Sequence, residues 1–120
     1  MKKILIVEDH ADIRALVRMT MELESFELHE AKDGIEGMEM ARALQPDLVL
    51  LDVMMPKLNG LDMCRQIRSD PLLRSTRIVM LSARGQEGDH KAGLAAGADL
   101  YLVKPFDPMG LLAVVQKLCL

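Results

Sequence analysis

Polar residues stand directly behind four short apolar runs. Glu8 and Asp9 follow Ile4–Val7, Asp52 follows Leu48–Leu51, Ser82 follows Ile78–Leu81, and Lys104 follows Leu100–Val103. In open parallel sheets the ligand crevice lies outside the carboxyl ends of the strands, so these side chains are expected to converge on one site. Carboxylates crowded there repel one another, and such a cluster raises a pKa or recruits a cation. All-oxygen ligands with no convergent His or Cys favour a hard ion, Mg²⁺ or similar, bound by one or two carboxylates and by phosphate oxygens. The Lys104 ammonium and Ser82 hydroxyl are then placed to bind anionic oxygens of the same ligand. Asp52 in that setting can act as a nucleophile and form an aspartyl phosphate, with the metal and Lys104 neutralising charge on the transferring group. Neither a GxxxxGK[ST] loop nor a GxGxxG after the first run is present, so ATP bound by this domain is not the expected donor.

These residues need a scaffold. Each of the four runs has strand length, and apolar residues at consecutive positions fit a strand covered on both faces. A fifth segment, Phe26–Ala31, alternates with period two, as an edge strand does. Helical stripes separate the strands. Ile13, Leu16, Val17, Thr20 and Leu23 predict a helix over about 11–24, and Ile35, Met38, Ala41 and Leu44 a second, opened by Asp33-Gly34 and closed before Pro46. Leu61, Met63, Cys64 and Ile67 give a third, stopped by Pro71. A Gly- and Ala-rich stretch from about 87 to 96 ends at Gly97 as a fourth. Leu111, Leu112, Val115 and Leu118 make a fifth, with Asp107 as N-cap and Pro108 in the first turn. Strict βα alternation over residues 1–120 predicts a single α/β domain: a five-stranded parallel sheet in flavodoxin-like order 2-1-3-4-5, with helices on both faces.

Composition removes other classes. The net charge of −3 has the wrong sign for a surface that lives on phosphate backbones, and one Tyr, two Phe and no Trp leave no stacking platform for single strands or a flavin. Direct binding of nucleic acid is therefore not expected. No run approaches a membrane span or the apolar core of a signal peptide, so no membrane insertion and a cytoplasmic location are expected. Cys64 and Cys119 lack the spacing of a zinc site and fit a reducing compartment. His10, His29 and His90 lack metal spacing and read as surface residues, the methionines as gap-filling core, and Arg65, Arg68, Arg74 and Arg77 as a solvated face.

The acidic pair Glu8-Asp9, the segment Leu51-Asp52-Val53-Met54-Met55-Pro56 with Asn59-Gly60, Ser82-Ala83 and Lys104-Pro105-Phe106, in this order over the whole chain, resemble the CheY-like receiver domain of two-component response regulators. The resemblance implies that Asp52 accepts a phosphoryl group from the phosphohistidine of a histidine kinase or phosphotransfer protein. It implies Mg²⁺ held by Glu8, Asp9, Asp52 and the backbone carbonyl of Met54, with Ser82 and Lys104 on the phosphoryl oxygens. Such a receiver catalyses only its own phosphorylation and dephosphorylation. It also implies a switch, in which Tyr101 turns inward as the Ser82 hydroxyl moves and the face of helix 4, strand 5 and helix 5 is reshaped for an output partner or a fused effector domain. On its own, Tyr101 reads equally well as a half-buried edge aromatic. A cis Lys104-Pro105 peptide belongs to the same pattern.

Five positions set this chain apart or bear on its tuning within the family's pattern. Glu8 replaces an Asp and adds a methylene, Ser82 replaces a Thr, Arg84 and Met54 occupy positions that tune phosphate lifetime, and Gly110 stands where transcription-factor receivers often carry a Glu at their dimer contact. Two other functions fit parts of the pattern. A small aspartate-dependent phosphatase would need a second Asp two residues after Asp52, where Met54 stands. The other is a phosphorylation-independent interaction module of the same fold.

Overall fold

The structure, a computed structural model, describes residues 1–120. Strands form where the apolar runs lie: β1 (Lys3–Val7), β2 (Glu27–Ala31), β3 (Leu48–Asp52), β4 (Arg77–Ser82) and β5 (Leu100–Val103). They pair in parallel in the order β2-β1-β3-β4-β5. The helices are α1 (Ala11–Met21), α2 (Gly34–Leu44), α3 (Gly60–Ser69), α4 (Glu87–Ala96) and α5 (Pro108–Leu118).

Successive strand residues point to opposite faces, which divides the core in two. Leu5, Val7, Val49, Leu51, Ile78 and Met80 pack with Met38 and Ala41 of α2, Met63, Cys64 and Ile67 of α3, and Ala96 of α4. Ile4, Ile6, Leu48, Leu50, Val79 and Leu81 pack on the other face with Val17 and Met21 of α1 and Leu111, Leu112 and Val115 of α5. Each fully buried Leu, Ile or Val contributes roughly 1.5–3 kcal/mol of transfer free energy. Local signals set the helix ends. Asp33 and Asn59 cap α2 and α3 by accepting the Glu36 and Asp62 N–H groups, each at 2.9 Å. Gly97, at φ +111°, ends α4 in the left-handed conformation that favours glycine.

Several expectations need correction. The first helix stops at Met21, leaving Leu23 outside it and Leu16 exposed; Thr20 Oγ1 donates to Leu16 O at 2.8 Å. Val17, Thr20 and Met21 make the buried stripe instead. The run Leu100–Val103 packs on both faces, Tyr101 on one and Leu100 and Leu102 on the other, but β5 is an edge strand that pairs only with β4, so Leu100 and Leu102 are half-buried and Val103 is exposed. Asp107 holds the N-cap position of α5, but its side chain makes no cap hydrogen bond. Met1, Met19, Met54 and Met109 are exposed rather than core.

Arg68 is not part of a solvated face. Its guanidinium donates to the carbonyls of Gly97 (2.8 Å) and Arg74 (3.0 Å), to that of Thr76, and to Asp99 Oδ2 (2.9 Å). Asp99 Oδ2 also accepts the Ile78 N–H at 2.7 Å, and Thr76 Oγ1 donates to Pro46 O at 3.0 Å. The carbonyls left open where α4 ends and β4 begins need donors, and a planar five-donor fork supplies several at once. No helix is long and apolar enough to cross a membrane.

Candidate functional site

The register of the sheet gathers the polar residues at its carboxyl edge. Val7 pairs with Leu51, Asp52 with Leu81, and Ser82 with Val103, so Glu8-Asp9, Asp52, Ser82 and Lys104 leave four adjacent strands side by side. The chain must turn sharply behind Asp52. A Cβ at Gly60 would lie 2.3 Å from the Asp52 carbonyl oxygen, so glycine is required where α3 begins against the end of β3. Lys57, in this loop, adopts a left-handed φ of 70°, and its Nζ lies 3.3 Å from Asp33 Oδ2, tying the loop to the start of α2. The Lys104-Pro105 peptide is cis, as the motif led us to expect.

Asp52 is 3% exposed and Glu8 is 2%. Lys104 Nζ donates to Glu8 Oε1 at 2.7 Å and lies 3.3 Å from Asp52 Oδ1, which also accepts the Met54 N–H at 3.3 Å. The other Asp52 oxygen, Oδ2, is buried without a hydrogen-bond partner, and so is Asp9 Oδ1. Buried polar atoms are rarely left alone, and unpaired carboxylate oxygens of one cluster are what a cation or an incoming electrophile would occupy.

The charges respond to this crowding. Burial, then the neighbouring Glu8 charge, pushes the Asp52 carboxyl up from 3.8 to about 7, against the pull of Lys104. Burial pushes Glu8 upward too, but the hydrogen bonds it accepts from Lys104 and the His10 backbone N–H, with the neighbouring Asp52 carboxyl, outweigh it and hold Glu8 below its usual range. Burial works against the charge of Lys104, yet Glu8 and Asp52 more than compensate and raise its pKa.

Ser82 is fully buried, and its Oγ accepts the Arg84 N–H at 3.1 Å. Tyr101 points inward, 6% exposed, and its hydroxyl donates to the Arg84 carbonyl at 2.7 Å. Both residues are thus tied to one peptide segment after β4. A cleft of about 510 Å³ opens beside it, lined by Met54, Met55, Arg84 and Tyr101 among others.

One residue at the site escaped the sequence reading. His10 does not stand apart from the carboxylates: its Nδ1 lies 3.3 Å from both Glu8 Oε2 and Asp9 Oδ1. Ligand atoms of Glu8, Asp9, His10 and Asp52 all fall within 4.8 Å of one another. The signal was three consecutive ionisable residues before a helix, where the turn brings the ring back over the acidic pair.

The donor set of buried, partly unpaired carboxylate oxygens fits a hard divalent cation. A parallel sheet of this order with carboxylates, an amine and a hydroxyl at its carboxyl edge has its polar side chains where open α/β sheets bind ligands, at a switch point. The chain matches the response regulator receiver domain model over residues 4–116 and belongs to that family. It is 42% identical over 118 residues to the DNA-binding dual master transcriptional regulator RpaA of Synechocystis, covering 98% of this chain and 49% of that one. It is 43% identical over 116 residues to the transcriptional regulatory protein ResD of Bacillus subtilis, with 97% and 47% covered. The chain therefore spans about half the length of these relatives. Among solved structures it resembles the chemotaxis response regulator CheY4 of Vibrio cholerae, with a TM-score of 0.92, 33% identity and 98% of both chains covered. The receiver domain of the Francisella response regulator 1452 is similar, with a TM-score of 0.93, 28% identity, and 99% and 97% covered.

Proposed function

We propose that residues 1–120 act as one phosphoryl-accepting receiver, with Asp52 as the acceptor. The observation that carries this is the state of the Asp52 carboxylate: one oxygen is fixed by the Met54 N–H and Lys104, while the other is buried and free. A nucleophile should be held in this way, oriented through one atom and open at the other. Asp52 Oδ2 forms the new bond to phosphorus as the P–N bond to the donor phosphohistidine breaks. The donor histidine leaves with the electron pair. Lys104 Nζ and the Ser82 hydroxyl bind the phosphoryl oxygens, where positioned charge and hydrogen bonds stabilise the transition state. The carboxylates of Glu8, Asp9 and Asp52 and the Met54 backbone carbonyl would hold Mg²⁺, which when bound lowers the cost of the ionised Asp52 and screens the phosphoryl charge.

Output follows from the bonds of Arg84. Once the Ser82 hydroxyl turns to a phosphoryl oxygen, it releases the Arg84 N–H, and the segment that also holds the Tyr101 hydroxyl is free to shift. Tyr101 is on β5 with its ring packed against α4, so the change is read on the α4-β5-α5 face by a partner or by an effector region. The name of RpaA gives DNA binding as one such output. A histidine kinase or phosphotransfer protein is the upstream partner.

Intact mass after exposure to acetyl phosphate tests this reading. A single phosphoryl adduct is expected on the wild type with Mg²⁺, and none with a chelator or on Asp52→Asn. Equal labelling of Asp52→Asn would overturn it. Failure of the wild type to take up phosphoryl or bind Mg²⁺ would favour the phosphorylation-independent interaction module.

A further inference from the structure

His10 occupies the N-cap of α1, yet its side chain makes no cap hydrogen bond. Its ring serves the acidic cluster instead. Glu8 divides its two oxygens: Oε1 takes Lys104 at 2.7 Å, and Oε2 faces His10, accepting the His10 N–H at 3.2 Å with Nδ1 at 3.3 Å. Asp9 Oδ1 also lies 3.3 Å from Nδ1 but makes no hydrogen bond, so the two atoms face each other without a directed interaction. Neighbouring donors on a six-coordinate ion with bonds of about 2.1 Å stand about 3 Å apart. The His10 nitrogen already stands nearly that far, 3.3 Å, from each of these two oxygens. The unpaired Asp52 Oδ2, in a side chain 3% exposed, adds an independent buried atom that calls for a positive partner.

We infer that His10 is a fourth side-chain ligand, through nitrogen, that makes this a mixed nitrogen and oxygen site preferring a divalent transition ion over Mg²⁺. The inference rests on the receiver reading for the site itself and adds the identity of the ion it selects. Imidazole binds transition ions well and Mg²⁺ poorly, so the nitrogen changes the ratio of affinities rather than their common level. A ring that acted only through its charge would shift both ions together. At 60% exposure the ring sits at the mouth of the cluster, where it can reach an ion without any rearrangement of the core.

The test compares Co²⁺ and Mg²⁺ binding by calorimetry at pH 8, with the Co²⁺ visible spectrum as a second readout. The proteins are wild type, His10→Ala, His10→Gln and His29→Ala; His29, paired with Glu27, is the distant control. Wild type should bind Co²⁺ more tightly than Mg²⁺. His10→Ala and His10→Gln should each weaken Co²⁺ at least ~10-fold and shift its absorption bands while leaving Mg²⁺ within ~2-fold. His29→Ala should change neither. Equal changes for the two ions, or none, would overturn the inference and leave the receiver reading intact. Absence of any divalent binding to the wild type would overturn both.

Discussion

The two ends of the sheet treat buried polar groups in opposite ways. At the amino end of β4, Arg68 spreads its donors over three carbonyls and Asp99, and Asp99 in turn takes the Ile78 N–H. At the carboxyl end, Glu8 and Asp52 share the Lys104 ammonium, Asp9 Oδ1 and Asp52 Oδ2 have no hydrogen-bond partner, and burial drives Asp52 up to about 7. A satisfied network supports folding, whereas an unsatisfied one costs stability and is retained where a ligand completes it. The same sheet thus carries a structural end and a reactive end.

The contrast can be broken most severely at the structural end. Arg68→Ala strips the guanidinium from three carbonyls and leaves Asp99 only the Ile78 N–H and the Arg77 guanidinium, so urea denaturation should show a loss of ~2–4 kcal/mol. Phosphoryl uptake by the folded fraction should be unchanged, since Arg68 is at the far end of the strands. Lys104→Met attacks the reactive end by removing the one cation among the carboxylates. A smaller loss of ~1–2 kcal/mol at pH 8 is expected, together with loss of the acetyl phosphate adduct.

Two changes at the Arg84 segment sharpen the comparison further. A Cβ at Gly93 would come within 2.6 Å of Tyr101 Cδ2, so Gly93 gives the inward ring its room. Gly93→Ala should cost ~1–2 kcal/mol and raise the solvent exposure of Tyr101, measured by tyrosine fluorescence quenching; Tyr101→Ala should relieve most of that cost in a double-mutant cycle. Tyr101→Phe removes only the bond to the Arg84 carbonyl and should cost ~1 kcal/mol in thermal unfolding.

How much of this could be read from residues alone depended on the range of the interaction. The strands, the sheet order and the convergence of Glu8, Asp9, Asp52, Ser82 and Lys104 follow from apolar periodicity and from the rule for parallel sheets, which are properties of the pattern. Asp33 and Asn59 were readable as helix starts because capping is local. Arg68 was misread because its partners, at Gly97 and Asp99, lie 29 and 31 residues away in sequence. His10 was missed for a different reason: motif spacing searches for several histidines, whereas here one ring meets the two carboxylates that directly precede it after β1. The open edge of β5 was hidden because an apolar run does not say whether a second neighbour covers it.

The most direct test of the two-ended account is the thermal stability of wild type and Asp52→Asn across pH 5–8, with chelator and with Mg²⁺. In the folded protein Asp52 keeps its proton to about pH 7, while in the unfolded chain it loses it near the ordinary 3.8. The folded state therefore binds more protons in that window, and wild-type stability should fall as pH rises from about 4 through 7. Asn never ionises. With chelator, Asp52→Asn should be more stable than wild type by ~1–3 kcal/mol at pH 8, with the gap shrinking toward pH 5 and narrowing when Mg²⁺ is added at pH 8. An Asn variant less stable than wild type at pH 8, or a gap indifferent to both pH and Mg²⁺, would contradict the claim that this end of the sheet gives up stability to keep Asp52 ready.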